Sequence, residues 1–178
     1  MANHKIIFAG PAGAGKTSAI KSLSDIPVVV TDEFSTDMTL GSKAKTAVGL
    51  DYGLMKLEGG KRIHLYGTPG QKRFDFMRDI LISGGIGLIL LLDNSRPDPL
   101  KDMRFFLSSF KDFISRTTLA IGVTRMDLAN KPLIADYHTE LNRIGMRPPV
   151  FEVDARSRSD VNQLVEALLF SLDPWLGE

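Results

Sequence analysis

The octapeptide Gly10-Pro11-Ala12-Gly13-Ala14-Gly15-Lys16-Thr17 constrains this chain more than any other feature. It fits G-x-x-x-x-G-K-[ST] at every fixed position, and it stands between an apolar, β-branched run (residues 5–9) and a segment of helical period (residues 17–23). Glycines there let backbone N–H groups turn inward around phosphate oxygens, and the helix N-terminus adds the positive end of its dipole. Lys16 would reach the β- and γ-phosphates and the Thr17 hydroxyl would bind Mg²⁺. Gly13, Ala14, Gly15 and Ser18 would line the same cradle. The dinucleotide fingerprint fails, because Ser18 stands where its third glycine belongs.

A strand–loop–helix unit of this kind needs a sheet to sit in, and the remaining pattern supplies one. Residues 52–57 and 62–66 read as strands joined at Glu58-Gly59-Gly60-Lys61. Residues 87–93, 119–123 and 150–153 read as further strands, the first with no alternation, as expected of a strand buried on both faces. Helical periods cover residues 74–82, 99–113, 134–144 and 161–172. Strand–helix alternation predicts an α/β fold, a six-stranded mostly parallel sheet with helices on both faces. At 178 residues the chain is expected to form one domain, spanning 1–178. Residues 25–49 read as a long loop, and a loop of that length is usually functional.

Composition excludes other classes. Hydrophobic residues make up 43% and charged ones 24%, an ordinary globular mix. With 22 Lys+Arg against 21 Asp+Glu the net charge is +1, so bulk charge predicts neither nucleic-acid nor membrane binding. No cysteine is present, which removes thiolate catalysis and zinc–thiolate sites and fits a reducing compartment. No apolar run is long enough for an integral membrane segment. The expectation is a cytoplasmic domain.

Further polar boxes end successive strands: Tyr66-Gly67-Thr68-Pro69-Gly70-Gln71, Thr124-Arg125-Met126-Asp127 and Asp154-Ala155-Arg156. In order and spacing, with the phosphate loop, they resemble the small GTPases of the Ras superfamily. The stretch from Gly67 to Met77 is most similar to the bacterial MglA-like branch. The resemblance implies a Ras-like P-loop GTPase domain that binds GTP and GDP with Mg²⁺ and hydrolyses GTP by positioned-water attack. Asp127 would accept two hydrogen bonds from guanine, Thr124 and Arg125 would support and cover the base, Ala155 would offer its N–H to the guanine oxygen, and Arg156 would flank it. Gly70 resembles the glycine that meets the γ-phosphate, and Gln71 the glutamine that orients water; with Lys16 it is the catalytic candidate. Residues 31–49 and 67–77 would be the two switch segments. The resemblance also implies a roadblock-type GTPase-activating partner, effector proteins, and a role in bacterial polarity, motility or signalling.

Three positions depart from that pattern. Gly67 stands where the family carries the Asp that holds Mg²⁺ through water. Counting back from Asp51-Tyr52 for the metal-binding Thr lands on Ala47, with Thr46 one residue early; Thr46 is the candidate. Ala12 replaces a glycine of the phosphate loop. All three predict slow intrinsic hydrolysis, since even an intact site without an arginine finger turns over at about 10⁻⁴ s⁻¹. Lys43, Lys45 and Arg73 are the candidates for a built-in finger. A nucleotide-holding scaffold with little hydrolysis is the alternative reading, and a small-molecule kinase a third. Asp93 ends an apolar strand in the manner of a Walker-B acid and competes for the role missing at Gly67, but it reads more readily as a carboxylate bonding its own turn; His64 reads as a surface-facing strand residue.

Overall fold

The computed structural model describes residues 3–35, 46–68 and 75–172, and only the backbone at residues 31–35, 46–49 and 75–78. Seven strands form one sheet in the order β2-β3-β4-β1-β5-β6-β7: β1 (Asn3–Ala9), β2 (Val29–Ser35), β3 (Thr46–Lys56), β4 (Arg62–Gly67), β5 (Gly87–Asp93), β6 (Thr118–Thr124) and β7 (Val150–Glu152). β1 pairs in parallel with β4 and β5, β5 with β6, and β6 with β7. β3 alone runs against its neighbours β2 and β4. The fold class is as expected, with one strand more. The seventh is β2, which takes up the Val29-Val30 end of the expected long loop and extends β3 back to Thr46 through the pairs Val29↔Tyr52 to Ser35↔Thr46.

Helices cover both faces. On one, α1 (Lys16–Leu23) and α6 (Arg158–Leu172) pack over Ile6, Phe8, Ile63, Leu65, Ile89 and Leu91. On the other, α3 (Pro99–Ser109), α4 (Lys111–Arg116) and α5 (Ile134–Arg143) pack over Ile7, Ala9, Leu88, Leu90, Leu92 and Ile121. α2 (Asp75–Ile82) follows β4. The unbroken apolar run of β5 is explained by this double cover: every residue of that strand is buried. Each buried Leu or Ile contributes roughly 1.5–3 kcal/mol by leaving water. The single helix expected over residues 99–113 is two, meeting at Phe110, whose side chain stays in the core with Phe106 and Phe113.

Strand order places the functional end. The chain leaves β1 with β4 on one side and β5 on the other, and open α/β sheets bind ligands at such a reversal, beyond the carboxyl ends of the strands. The loops after β1, β6 and β7 converge there.

Candidate functional site

Local geometry explains the glycines of the phosphate loop. Gly10 has φ +145°, and a Cβ there would stand 2.1 Å from the Leu91 carbonyl oxygen. Gly15 has φ +106°, and its Cβ would meet the Ala155 Cβ at 2.8 Å. Only a residue without a side chain lets the loop after β1 press against β5 and against the loop after β7. Lys16 begins α1 and is nine-tenths buried. Its Nζ donates to the carbonyl oxygens of Gly10 (2.5 Å) and Pro11 (2.9 Å), so the ammonium closes the loop on itself. Burial lowers its pKa to about 8, against the partial support of the Asp51 charge.

Beside it a cleft of about 680 Å³ is lined by Ala14, Gly15, Ser18, Thr124, Arg125, Asp127, Ala155 and Arg156, together with Met126, Leu128, Glu152, Val153, Asp154 and Asp160. Eight sequence-predicted residues thus share one cavity. Thr124 is buried and its hydroxyl donates to Ala14 O (3.0 Å) and Leu92 O (3.2 Å), which ties the end of β6 to the phosphate loop. Arg125 is the one non-glycine with positive φ among the described residues, at +56°. That conformation costs an L-residue about 1–2 kcal/mol, and it turns the guanidinium back toward Gly13 O and Asp93. Asp127 does not cap a helix: α5 begins seven residues later with Leu133 as its cap. No hydrogen-bond donor among the described residues satisfies its exposed carboxylate. The loop after β7 is braced by Asp154, which accepts from the Arg156 amide (2.9 Å), Nε (3.0 Å) and Nη2 (3.0 Å). Those bonds hold the Asp154 carboxyl below its ordinary range.

Gly13, Lys16 and Thr17 stand at the loop itself. Gly70, Gln71, Lys43, Lys45 and Arg73 lie outside the described residues. Thr46 opens β3 opposite Ser35, and its side chain is likewise outside the description.

One acid was missed by sequence reasoning. The Thr17 hydroxyl donates to Asp51 Oδ2. Asp51 is buried on β3, and its register partner on β4 is Gly67, the position that lacks the expected acid. A Cβ on Gly67 would meet Asp51 Cβ at 3.2 Å and Ile20 Cδ1 at 3.1 Å. The neighbouring strand thus sends its carboxylate across the gap that glycine leaves. The signal was present: Asp51 shares parity with Gly53 and Met55, the face of β3 turned to α1, where an acid is out of place. Asp93 accepts from the Ser95 amide (2.9 Å) and hydroxyl (2.6 Å), the expected turn, and additionally from Arg125 (2.6 Å). His64 alternates with the fully buried Ile63 and Leu65, as expected; it is half-buried, with its Nδ1 2.7 Å from the Tyr52 hydroxyl and the two rings stacked.

Oxygen donors suit Mg²⁺, which binds through one or two side chains plus substrate phosphates and keeps several waters. Thr17 and Asp51 fit that donor set, and among the described residues no cluster of three or more His, Cys, Asp or Glu could hold a metal alone.

Fold and site together define a nucleotide-binding domain of the Ras-like phosphate-loop class. A family described as "Conserved hypothetical ATP binding protein" matches residues 27–172, and the chain belongs to it. Its homologues include Ras-superfamily GTPases at low identity. It is 23% identical over 180 residues to Ras-related protein Rab-27A of Homo sapiens, covering 93% of this chain and 76% of that one. It is 23% identical over 150 residues to the mutual gliding-motility protein MglA of Myxococcus xanthus, covering 79% and 76%. An uncharacterized protein of Methanocaldococcus jannaschii is 34% identical over 92 residues, 52% of each chain, so the chain spans about half the length of that relative. This homology supports a GTP-binding switch in general terms.

Proposed function

We propose that the protein is a guanine-nucleotide switch that binds GTP and GDP with Mg²⁺ and hydrolyses GTP slowly on its own. The observation that carries this reading is the Asp127 carboxylate, exposed in the cleft without a hydrogen-bond donor among the described residues, while Ala155 lines the same space. A carboxylate in that state offers a bidentate acceptor to guanine N1–H and N2, and adenine has no such pair. The family's description names ATP, so base identity is the point to test.

In the bound state Lys16 exchanges the carbonyls of Gly10 and Pro11 for phosphate oxygens. Thr17 and Asp51 would hold the Mg²⁺, which would neutralise charge on the β- and γ-phosphates. Gln71 would orient the water whose oxygen bonds to the γ-phosphorus as the bond to the leaving GDP oxygen breaks. Gly70 would sense the γ-phosphate, and Thr46 would add a metal contact read from Thr46→Ala in a Mg²⁺ titration. The scaffold alternative rested partly on the missing acid at Gly67, and Asp51 offsets that loss. A roadblock-type activating partner, effectors and a role in bacterial polarity, motility or signalling belong to this proposal and follow from the MglA resemblance alone; a cytoplasmic site of action belongs to it too and follows from the absence of cysteine. Among the described residues no helix is long and apolar enough to cross a membrane.

One time course tests the reading. Protein stripped of nucleotide is loaded with equimolar GTP and ATP plus Mg²⁺, and bound nucleotide is identified by chromatography over hours. Guanine alone, with GDP accumulating, is the expected result. GTP that persists unchanged overturns intrinsic hydrolysis and leaves a scaffold or a strictly partner-dependent enzyme, and adenine overturns the guanine assignment. Asp127→Asn is expected to erode the preference for GTP over ATP by at least about tenfold, the worth of one lost charge-assisted hydrogen bond; an unchanged ratio removes Asp127 from base reading.

A further inference from the structure

The Asp93–Arg125 pair spans more of the site than a surface ion pair does. Asp93 closes β5 and is buried, with one carboxylate oxygen occupied by the Ser95 amide and hydroxyl. The other oxygen accepts from Arg125 Nη1 at 2.6 Å. The same guanidinium nitrogen donates to the carbonyl oxygen of Gly13 in the phosphate loop. Arg125 itself lines the cleft beside Asp127. One side chain of the base-reading loop is therefore held at once by the end of β5 and by the phosphate loop. Its backbone is turned into the left-handed region to make that reach.

We propose that Asp93 is a positioning residue for nucleotide retention: acting through Arg125, it clamps the base-reading loop to the phosphate loop so that the two halves of the site open only together. The proposal rests on reading the cleft as the nucleotide site. Asp93 touches no ligand in this scheme. Its carboxylate fixes the guanidinium at Gly13 O, and the guanidinium fixes the loop that carries Asp127. A charge-assisted bond is needed because Gly13 O alone would hold the arginine only as a neutral acceptor. Lysine is a weaker substitute for the arginine, since its ammonium is a strongly hydrated point charge without a planar fork. Pairs that close a site act chiefly on the rate of leaving, so the clamp shows in release rather than capture.

The test measures release of a fluorescent GDP analogue from Mg²⁺-loaded protein, alongside its association rate and the unfolding midpoint of the nucleotide-free protein. Asp93→Asn keeps an oxygen for Ser95 and removes the charge that Arg125 needs. It is expected to speed release by about tenfold while association changes less than about twofold. Arg125→Gln is expected to speed release at least as much. The double variant should be no faster than Arg125→Gln alone, because both changes break one contact. Release from Asp93→Asn within about twofold of the parent overturns the clamp. So do effects that multiply in the double variant, and so does faster release accompanied by an equal fall in the nucleotide-free midpoint, the mark of general loosening. A parent that retains no guanine nucleotide overturns the underlying reading as well, and the two failures are thereby told apart.

Discussion

At the scale of the residue, Lys16 carries the sharpest pH signature. Burial lowers its pKa to about 8 from an ordinary 10.5. Between those values the unfolded chain holds one proton more than the folded one, so stability of the nucleotide-free protein rises with pH across that window. Phosphate binding has the opposite sign. It favours the ammonium, so above pH 8 the complex must take up a proton that free Lys16 has lost. Affinity for GDP is expected to be flat from about pH 7 to about 8 and then to fall by up to about tenfold per pH unit. Equilibrium titration across that range checks it, and affinity that stays level to about pH 9.5 would show that Lys16 is not the group meeting phosphate. Gly67 gives a second residue-scale prediction. Restoring an aspartate there sets two carboxylates side by side in a space already filled by Asp51 and Ile20. Gly67→Asp is expected to cost about 1–3 kcal/mol in urea unfolding, and Asp51→Gly in the same chain to return most of it. A single variant as stable as the parent would mean that Asp51 does not occupy the gap.

At the scale of the element, the parallel strands were legible because burial on both faces writes unbroken apolar runs such as residues 87–92. That the loop after β1 and the boxes after β6 and β7 end strands was legible because each motif is local, its residues lying within a few positions; the structure brings them to one cleft. β2 was not. Its seven residues include Thr31, Asp32, Glu33 and Ser35, and only pairing with β3 makes such a polar segment a strand. Asp51 was missed for the same reason. Its partner Gly67 is sixteen positions away, and a register error of one residue would turn the carboxylate to the other face. Long-range pairing also fixes α5. Tyr137, fully buried on that helix, donates to Asn94 Oδ1 (2.7 Å), while Asn94 Nδ2 donates to Ala129 O (3.2 Å) and Pro132 O (3.1 Å). The loop that follows Asp127 hangs from this asparagine. Tyr137→Phe strands a buried acceptor, which costs about 1–3 kcal/mol. The unfolding midpoint should fall by about 2–4 °C for each kcal/mol. A midpoint equal to the parent's would show that Asn94 finds another donor.

At the scale of the whole molecule, the nucleotide would bridge strand ends that already share one sheet and one core, since Ala14, Ala155 and α6 pack in the same buried cluster. The phosphate loop belongs to β1 and α1, and the loops proposed to read the base to β6 and β7 on the far side of β5. Between them run the Gly15–Ala155 contact, the Thr124 hydroxyl, the Arg125 guanidinium and, further out, the Asp25–Arg158 ion pair at 3.2 Å. That last pair is half-exposed on its arginine side and contributes little. A ligand that fills the cleft therefore acts on global unfolding, not on one loop. Binding to the folded state alone adds about 2.7 kcal/mol at a hundredfold excess over Kd, or a rise of about 5–11 °C in midpoint for a domain of this size. GDP with Mg²⁺ is expected to give that rise. Lys16→Ala should abolish it, because the phosphates then lose the buried ammonium at the head of α1 that would meet them. Asp51→Asn should remove the part of the rise that depends on Mg²⁺ while leaving the part given by GDP in EDTA. ADP at equal concentration should give little. Should ADP raise the midpoint as far as GDP, the cleft does not distinguish the bases and Asp127 reads neither. If neither nucleotide moves it, the strand ends that converge on Gly15 and Ala155 bind some other phosphate, and the first ligand to try is pyrophosphate, which keeps the Lys16 contact and drops the base.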